Sequence, residues 1–295
     1  MAAQRDSVLG GIAFMVASTV AFALVNALVK WEVALYPVGE VAFFRSLFSL
    51  IPCYLIVLPR AGLRAFWTER PFDHLKRAVS QLCSMTAIFV AFKLMPLGGA
   101  VAISFSSPLF TTLLSFLILK ERVGIHRWTA LAVGFFGVLL VTRPDTGAFQ
   151  WGALFALANA VMISTVAVAI RKMSVTESTE TLILYQLTLL ALLTALLLPL
   201  GFAWPTPIDF VFLASAGIVN GVAQYWWTKS LHLAPASAVV PFNYLSLVWA
   251  SAAGFWVWGD VPTPGLILGS AIVVASGLYI FWRETAARAR ARAHA

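Results

Sequence analysis

The sequence predicts an all-α, polytopic membrane protein: ten transmembrane helices arranged as two inverted five-helix repeats around a central cavity. Three observations predict it. Of 295 residues, 61% are hydrophobic and only 11% charged, against roughly 25% charged in a water-soluble domain. The apolar residues gather into ten runs of about the length, ~20 residues, that a helix needs to cross the hydrocarbon. The segments between runs alternate, basic and then almost free of Lys and Arg. Composition alone excludes disorder, collagen-like repeats and a secreted disulfide scaffold.

Taken in order, the first five spans lie near 8–30, 38–58, 76–94, 98–119 and 125–142. Residues Met1 to Val8 carry one Arg and one Asp, and no small-residue cleavage site follows, so the first run is expected as a retained span. The third and fourth spans are separated only by Met95-Pro96-Leu97-Gly98-Gly99, a Pro/Gly break that ends one helix and starts the next. The second five lie near 149–171, 180–200, 209–231, 236–258 and 264–282. With the amino terminus inside, inner segments hold sixteen Lys and Arg and outer segments only Lys30, Lys93 and Arg143; Arg45 lies within a span. That excess places both termini in the cytoplasm, because inner-loop cations resist translocation. The same distribution argues against nucleic acid, since the cations are spread through loops instead of gathering on one solvated face. Cys53 and Cys83 fall inside apolar runs and read as packing residues, with no disulfide or metal implied.

The halves resemble each other. Gly10-Gly11-Ile12-Ala13-Phe14 lies over Trp151-Gly152-Ala153-Leu154-Phe155 at an offset of 141 residues, and Leu94-Met95-Pro96-Leu97 over Leu233-Ala234-Pro235-Ala236 at 139. Glu121 falls over Asp260 at the same 139. Five spans per repeat is odd, so the second copy enters the membrane from the opposite side, an architecture of carriers. The expected organisation is 1–145 for the first repeat, 146–285 for the second and 286–295 for a basic cytoplasmic tail.

The fourth span closes with Leu117-Ile118-Leu119-Lys120-Glu121-Arg122, and the fifth with Gly134-Phe135-Phe136-Gly137-Val138-Leu139-Leu140-Val141. With two five-span halves, these segments resemble the drug/metabolite transporter superfamily, in its EamA-type branch. Length and an aromatic-rich second half are similar to the YddG-type bacterial exporters of aromatic and other neutral amino acids. The second repeat departs from the pattern, ending in Val257-Trp258-Gly259-Asp260 with Asp for Glu and no Arg after it. The resemblance implies a cavity enclosed by spans one, three, four, six, eight and nine, helped by two and seven, with five and ten peripheral. It also implies alternating access, with export from the cytoplasm as the usual direction.

Polar side chains in hydrocarbon are costly unless paired or facing water, which makes them the candidate site residues. Arg45 lies about two turns into the second span, where insertion costs about 2.5 to 3.5 kcal/mol. It reads either as the partner of a substrate carboxylate, whose geometry the guanidinium fork matches, or as a structural cation paired with Glu40 or helix carbonyls. Gln81 and Asn220 match at the 139 offset and, with Gln224 and Asn243, read as cavity-lining amides or as glue between helices. Tyr225, Trp226, Tyr244 and Trp249 lie deep enough to stack on a substrate ring, the alternative being packing. Trp226 and Trp227 point in different directions, so at most one faces the cavity. Pro108 and Pro241 break helical hydrogen bonds and read as hinges or static kinks. Gly217 and Gly221 form a small-xxx-small pair that reads as close helix packing.

All twelve acids fall in loops or near span ends, and the four histidines at edges or in the tail. No catalytic or metal-ligating set is present, which argues against an intramembrane enzyme. The same pattern argues against a mid-membrane carboxylate relay; coupling then runs through Glu40 or an edge residue, or the protein is a facilitator. A lone buried cation, Arg45, is too few for sugar phosphates, and lipophilic cations would favour a buried acid. The expected function is therefore export of neutral, aromatic or other apolar, amino acids by alternating access, without a cofactor. The alternatives are efflux of other small metabolites or drugs, or a membrane-embedded enzyme or scaffold. The expected partners are a small solute and membrane lipid, and monomer and homodimer stay open.

Overall fold

The computed structural model describes residues 2–62, 66–119, 125–142, 151–173, 176–234 and 236–293, and every regular element among them is helical. The first half contains α1 (Ala2–Leu35), α2 (Val38–Ala61), α3 (Pro71–Leu94), α4 (Leu97–Ser104), α5 (Ser107–Leu119) and α6 (Ile125–Thr142). The second contains α7 (Trp151–Met173), α8 (Thr179–Ala195), α9 (Pro207–Leu233), α10 (Ala236–Val239), α11 (Leu245–Trp258) and α12 (Pro264–Ala293). Eight helices are long and apolar enough to cross a membrane, and Trp128–Val141 is a shorter apolar helix. The remaining crossing is broken in two as α10 and α11. The chain is thus a multi-pass membrane protein with the expected spans. The segment Lys120-Glu121-Arg122, the repeat boundary at 145/146, and His294 and Ala295 lie outside the described residues.

Local chemistry sets the helix limits. Ser178 caps α8 by accepting from the Thr181 amide, and Thr206 caps α9 by accepting from that of Asp209. Pro207 opens α9 at a position where its missing N–H costs nothing. The first helix runs five residues beyond the expected end at 30, which puts Lys30 and Glu32 on helix instead of in a loop.

Both α4/α5 and α10/α11 are one span interrupted near its middle. Phe105 and Ser106 separate α4 from α5, with Pro108 the second residue of α5; a single 3₁₀ turn, Val240–Tyr244, separates α10 from α11, with Pro241 its second residue. A proline tolerates the first turn of a helix and clashes with the turn before it, so each one ends the preceding segment. Phe105 and Tyr244 stand 139 residues apart, the repeat offset, and their rings meet at 4.9 Å between centroids. The two interruptions therefore touch through equivalent residues.

Packing follows the repeat. α1 lies along α9 as α3 lies along α7, α2 packs on α8 and α4 on α11, while α6 and α12 pack chiefly on one another. One departure from two-fold symmetry matters. α1 also touches α3, whereas the equivalent helices α9 and α7 have no comparable contact among the described residues.

We call the end of the bundle bearing the start of α1 and the finish of α12 the terminal end, and the opposite one the far end. A single large apolar cluster occupies the far half, drawing Val25, Val29 and Val33 of α1, Phe89 and Phe92 of α3, and Leu213 of α9 together with residues of α2, α4, α7 and α11. The terminal half has no counterpart among the described residues. It holds three separate smaller clusters, around Met15, Ala234 and Val239, around Cys53 and Leu184, and around Leu109, Leu131 and Ile280. Apolar burial at about 25 cal/mol per Å² thus closes one end of the bundle and leaves the other divided.

Candidate functional site

Arg45 sits where the sealed far half ends. One guanidinium nitrogen, Nη2, donates to Asn220 Oδ1 at 2.7 Å, Nη1 lies 2.9 Å from Met85 Sδ, and the group stacks over Phe89 at 5.4 Å. Nε is buried without a partner. The expected alternative, a pair with Glu40, is not formed: Glu40 Oε2 instead accepts from the Ala203 amide. Arg45 therefore bridges α2, α3 and α9, contacting both repeats, and forms no ion pair among the described residues.

Asn220 is engaged through both its amide oxygen and its amide nitrogen. Its Oδ1 accepts from Arg45, and its Nδ2 donates to Ser49 Oγ at 3.0 Å, which donates to the carbonyls of Arg45 and Gly217. Close approach of α2 and α9 makes this network possible. A Cβ on Gly217 would stand 2.8 Å from the Arg45 carbonyl oxygen, and one on Gly221 2.9 Å from that of Ser49, distances that only glycine admits. A second amide network lies at similar depth: Ser84 donates to Asn159 Oδ1 at 2.7 Å, and Asn159 Nδ2 donates to Ser104 Oγ at 2.9 Å. Gln81 is half-buried one turn before Ser84 and Met85 on α3.

The inner stripe of α9 shows where the bundle opens. Gly217 and Gly221 face α2, and Ser230 and Ala234 meet Gly11 of α1. Between those two contact lines, helical spacing puts Leu213, Asn220, Gln224 and Trp227 on one face. Leu213 is 1% exposed and Asn220 4%; Gln224 is exposed and Trp227 is 36% exposed. Flanked by helices on both sides, this face loses cover as it approaches the terminal end. Exposure along this face thus rises from Leu213 and Asn220, beside Arg45, to Gln224 and Trp227 nearer the terminal end.

The other aromatics go elsewhere. Trp226, expected at the cavity, shares a face with Ser230 and Leu233, which meet Gly11 and Gly10 of α1; Trp227 takes the inner stripe in its place. Tyr225 lies under Lys229 Nζ at 5.6 Å. Tyr244, expected to stack on substrate, packs against Phe105, and a Cβ on Gly277 of α12 would collide with its hydroxyl. Trp249 Nε1 donates to Thr19 Oγ1 of α1 at 3.3 Å. Asn243 belongs to the 3₁₀ turn, where its carbonyl accepts from Ser246 Oγ. Structure thus joins Arg45 and Asn220, sets Gln224 one turn along the same face of α9, and adds Ser49, Met85 and Phe89. Ser49 stands one turn from Arg45, and Met85 stands at the 139 offset from Gln224; both signals were present in the sequence.

Polar contacts also tie the far end. Lys30 of α1 donates to the Met95 carbonyl at 2.8 Å, lies 3.7 Å from Asp260 and stacks over Trp258 at 5.1 Å. Tyr36 donates to Asp209 Oδ2 at 2.6 Å; that bond raises the phenol's pKa, because ionisation would set two anions side by side. The end of α1 is thereby joined to the ends of α3 and α11 and to the start of α9, across the two repeats.

A family model, the EamA-like transporter family, matches residues 9–143 and 150–282. The chain is 31% identical over 287 residues to a riboflavin transporter of Rhizobium johnstonii, covering 96% of this chain and 95% of that one. It is 29% identical over 283 residues to an S-adenosylmethionine uptake transporter of Rickettsia prowazekii, covering 94% of each. It is 28% identical over 273 residues to the pseudopaline exporter CntI of Pseudomonas aeruginosa, covering 92% and 95%. One solved structure superimposes with a TM-score of 0.61 at 22% identity, covering 93% of this chain and 95% of that chain, a likeness of fold.

Proposed function

Because the chain belongs to the EamA-like transporter family, within the drug/metabolite transporter superfamily, and so is a membrane transporter and not an enzyme, we propose that its cargo is a small organic solute with an anionic group and an apolar or aromatic body. Neutral amino acids, exported from the cytoplasm, are the simplest members of that class. The observation that carries the reading is Arg45: a guanidinium held by a neutral amide and a thioether, with no acid among the described residues to neutralise it, at the floor of what we read as a cleft open to the terminal end. A carboxylate that docks there exchanges water for a charge-assisted bidentate contact of about 1.5 to 3 kcal/mol. Asn220 and Ser49 hold the fork in place, Gln224 offers an amide one turn along, and Trp227 supplies an aromatic face.

Orientation follows from the charge distribution, which puts the terminal end in the cytoplasm of a bacterial inner membrane. The cleft then loads from the cytoplasm, in keeping with export. Alternating access closes the terminal half over the solute and parts the far cluster, with the prolines at the two interruptions, Pro108 and Pro241, as the hinges.

A second reading is a flavin, favoured by the 31% identity to a riboflavin transporter over nearly the whole chain. Riboflavin has a flat ring for Trp227 but no carboxylate for Arg45. The experiment that decides is flux into and out of proteoliposomes with a labelled panel of apolar and aromatic amino acids, S-adenosylmethionine and riboflavin. The carboxylate reading expects uptake of carboxylate-bearing members, weakened by Arg45→Ala roughly ten- to a hundredfold. Flux of riboflavin alone, untouched by Arg45→Ala, replaces it with the flavin reading.

A further inference from the structure

The far end contains a carboxylate that the transport site does not use. Glu32 lies on the inward stripe of α1 with Val25, Val29 and Val33, is 0% exposed, and neither of its carboxylate oxygens has a hydrogen-bond partner. A carboxylate stripped of water and given no donor is among the most costly groups a membrane protein can hold. Its surroundings add to the cost. Glu40 of α2, also 0% exposed, and Asp209 of α9 lie within electrostatic range of it.

Among the described residues, none nearby supplies a compensating positive charge; Arg143, beyond α6, lies outside them. From its own helix, Lys30 is committed to Asp260 and the Met95 carbonyl. Arg45 of α2 is committed to Asn220 and Met85, and on α3 Lys93 is exposed. From α9, Asp209 brings a further acid, already bonded to Tyr36 and Thr206. Asp260, after α11, pairs with Lys30. Neither an ion pair nor a hydrogen bond stabilises a Glu32 anion in this conformation, and no three His, Cys, Asp or Glu among the described residues are spaced to hold a metal ion.

We propose that Glu32 is a proton-binding site whose occupancy is linked to closure of the far end, so that the carrier is driven or gated by protons. The inference rests on the transporter reading above. With the far end sealed, Glu32 is the neutral acid. When the seal parts, water reaches the group, the O–H bond breaks, the proton passes to that water, and the carboxylate left behind is hydrated. Ligand linkage fixes the sign. A proton bound preferentially in the sealed state favours that state as far-side pH falls, and the open state gains as pH rises. Of the two alternatives the sequence leaves open, this takes coupling through an acid at a span edge over a facilitator.

Two measurements on the full-length protein test it. Infrared spectra of purified protein in lipid at neutral pH report protonated carboxyl groups directly. Glu32→Gln is expected to remove one such group per chain, and Glu32→Asp to keep it; an unchanged carboxyl band in a folded Glu32→Gln protein overturns the proposal. In proteoliposomes, flux of any solute that the wild type carries is expected to change with far-side pH and to lose that dependence in Glu32→Gln. A pH dependence that survives the substitution, or one replaced by a sodium requirement, also overturns it. Absence of flux for every solute of the panel defeats the cargo assignment alone, because the infrared band still decides whether Glu32 holds a proton.

Discussion

Arg45 and Asn220 are coupled through a direct side-chain hydrogen bond, and they respond differently to substitution. Asn220→Ala leaves Ser49 and the guanidinium each short of a partner, a loss of about 1–3 kcal/mol expected as a lower melting temperature in detergent. Asn220→Asp offers Arg45 an internal carboxylate instead. That variant is expected to melt no lower than the wild type while losing affinity for carboxylate solutes, as binding titrations would read; unchanged affinity would mean that the cargo does not use Arg45. At this scale the sequence singles out polar residues within the spans and is silent about their partners. Arg45 stood out because a cation in a span is costly wherever it points, and Gln81 and Asn220 because they repeat. Nothing local separates Trp226 from Trp227, which differ only in the side of α9 they occupy, and that is settled by where α1 and α2 pack. Glu32 was read as a peripheral acid because α1 was expected to end at residue 30.

The helices divide into those that had to form and those that had to break. Unbroken spans follow from apolar length, and their limits were legible to within a few residues. Both interruptions were signalled by Pro108 and Pro241, but the contact of Phe105 with Tyr244 was not, since it requires the two repeats to face each other. The α2–α9 crossing is set by Gly217 and Gly221, with backbone oxygens of α2 where side chains would project. Gly221→Leu is expected to drive these helices apart at a cost of about 1–3 kcal/mol or more, and to displace the Ser49–Asn220–Arg45 network with them. Loss of both thermal stability and solute binding is the expected result; a stable protein with unchanged binding would show that this crossing does not position the site.

Across the whole molecule, two inverted halves meet in an asymmetric arrangement. The far end is closed by one apolar cluster and by Lys30 and Tyr36, which reach across the repeats; the terminal end is held by three clusters that do not join. A symmetric sequence repeat cannot specify such a state, because each conformation of an inverted pair has a mirror counterpart with the opposite end open. What the sequence does contribute is a partial asymmetry of the far-end residues: Lys30 keeps a basic counterpart in Arg171, but Glu32 and Tyr36 have Met173 and Glu177 at the 141 offset, so the second repeat does not rebuild the far-end set in full at the terminal end.

The inner stripe of α9 offers the most direct test. With Cys53 and Cys83 replaced by alanine, single cysteines at 213, 220, 224 and 227 are challenged in turn with a membrane-impermeant thiol reagent from each side of the bilayer. Trp227→Cys and Gln224→Cys are expected to react from the side bearing the termini and to be protected by transported solute, while Leu213→Cys reacts from neither side until the far end opens. Reaction of Leu213→Cys from the opposite side with Trp227→Cys inert, or no reaction along the stripe from either side, would contradict a cleft that opens at the terminal end above Arg45.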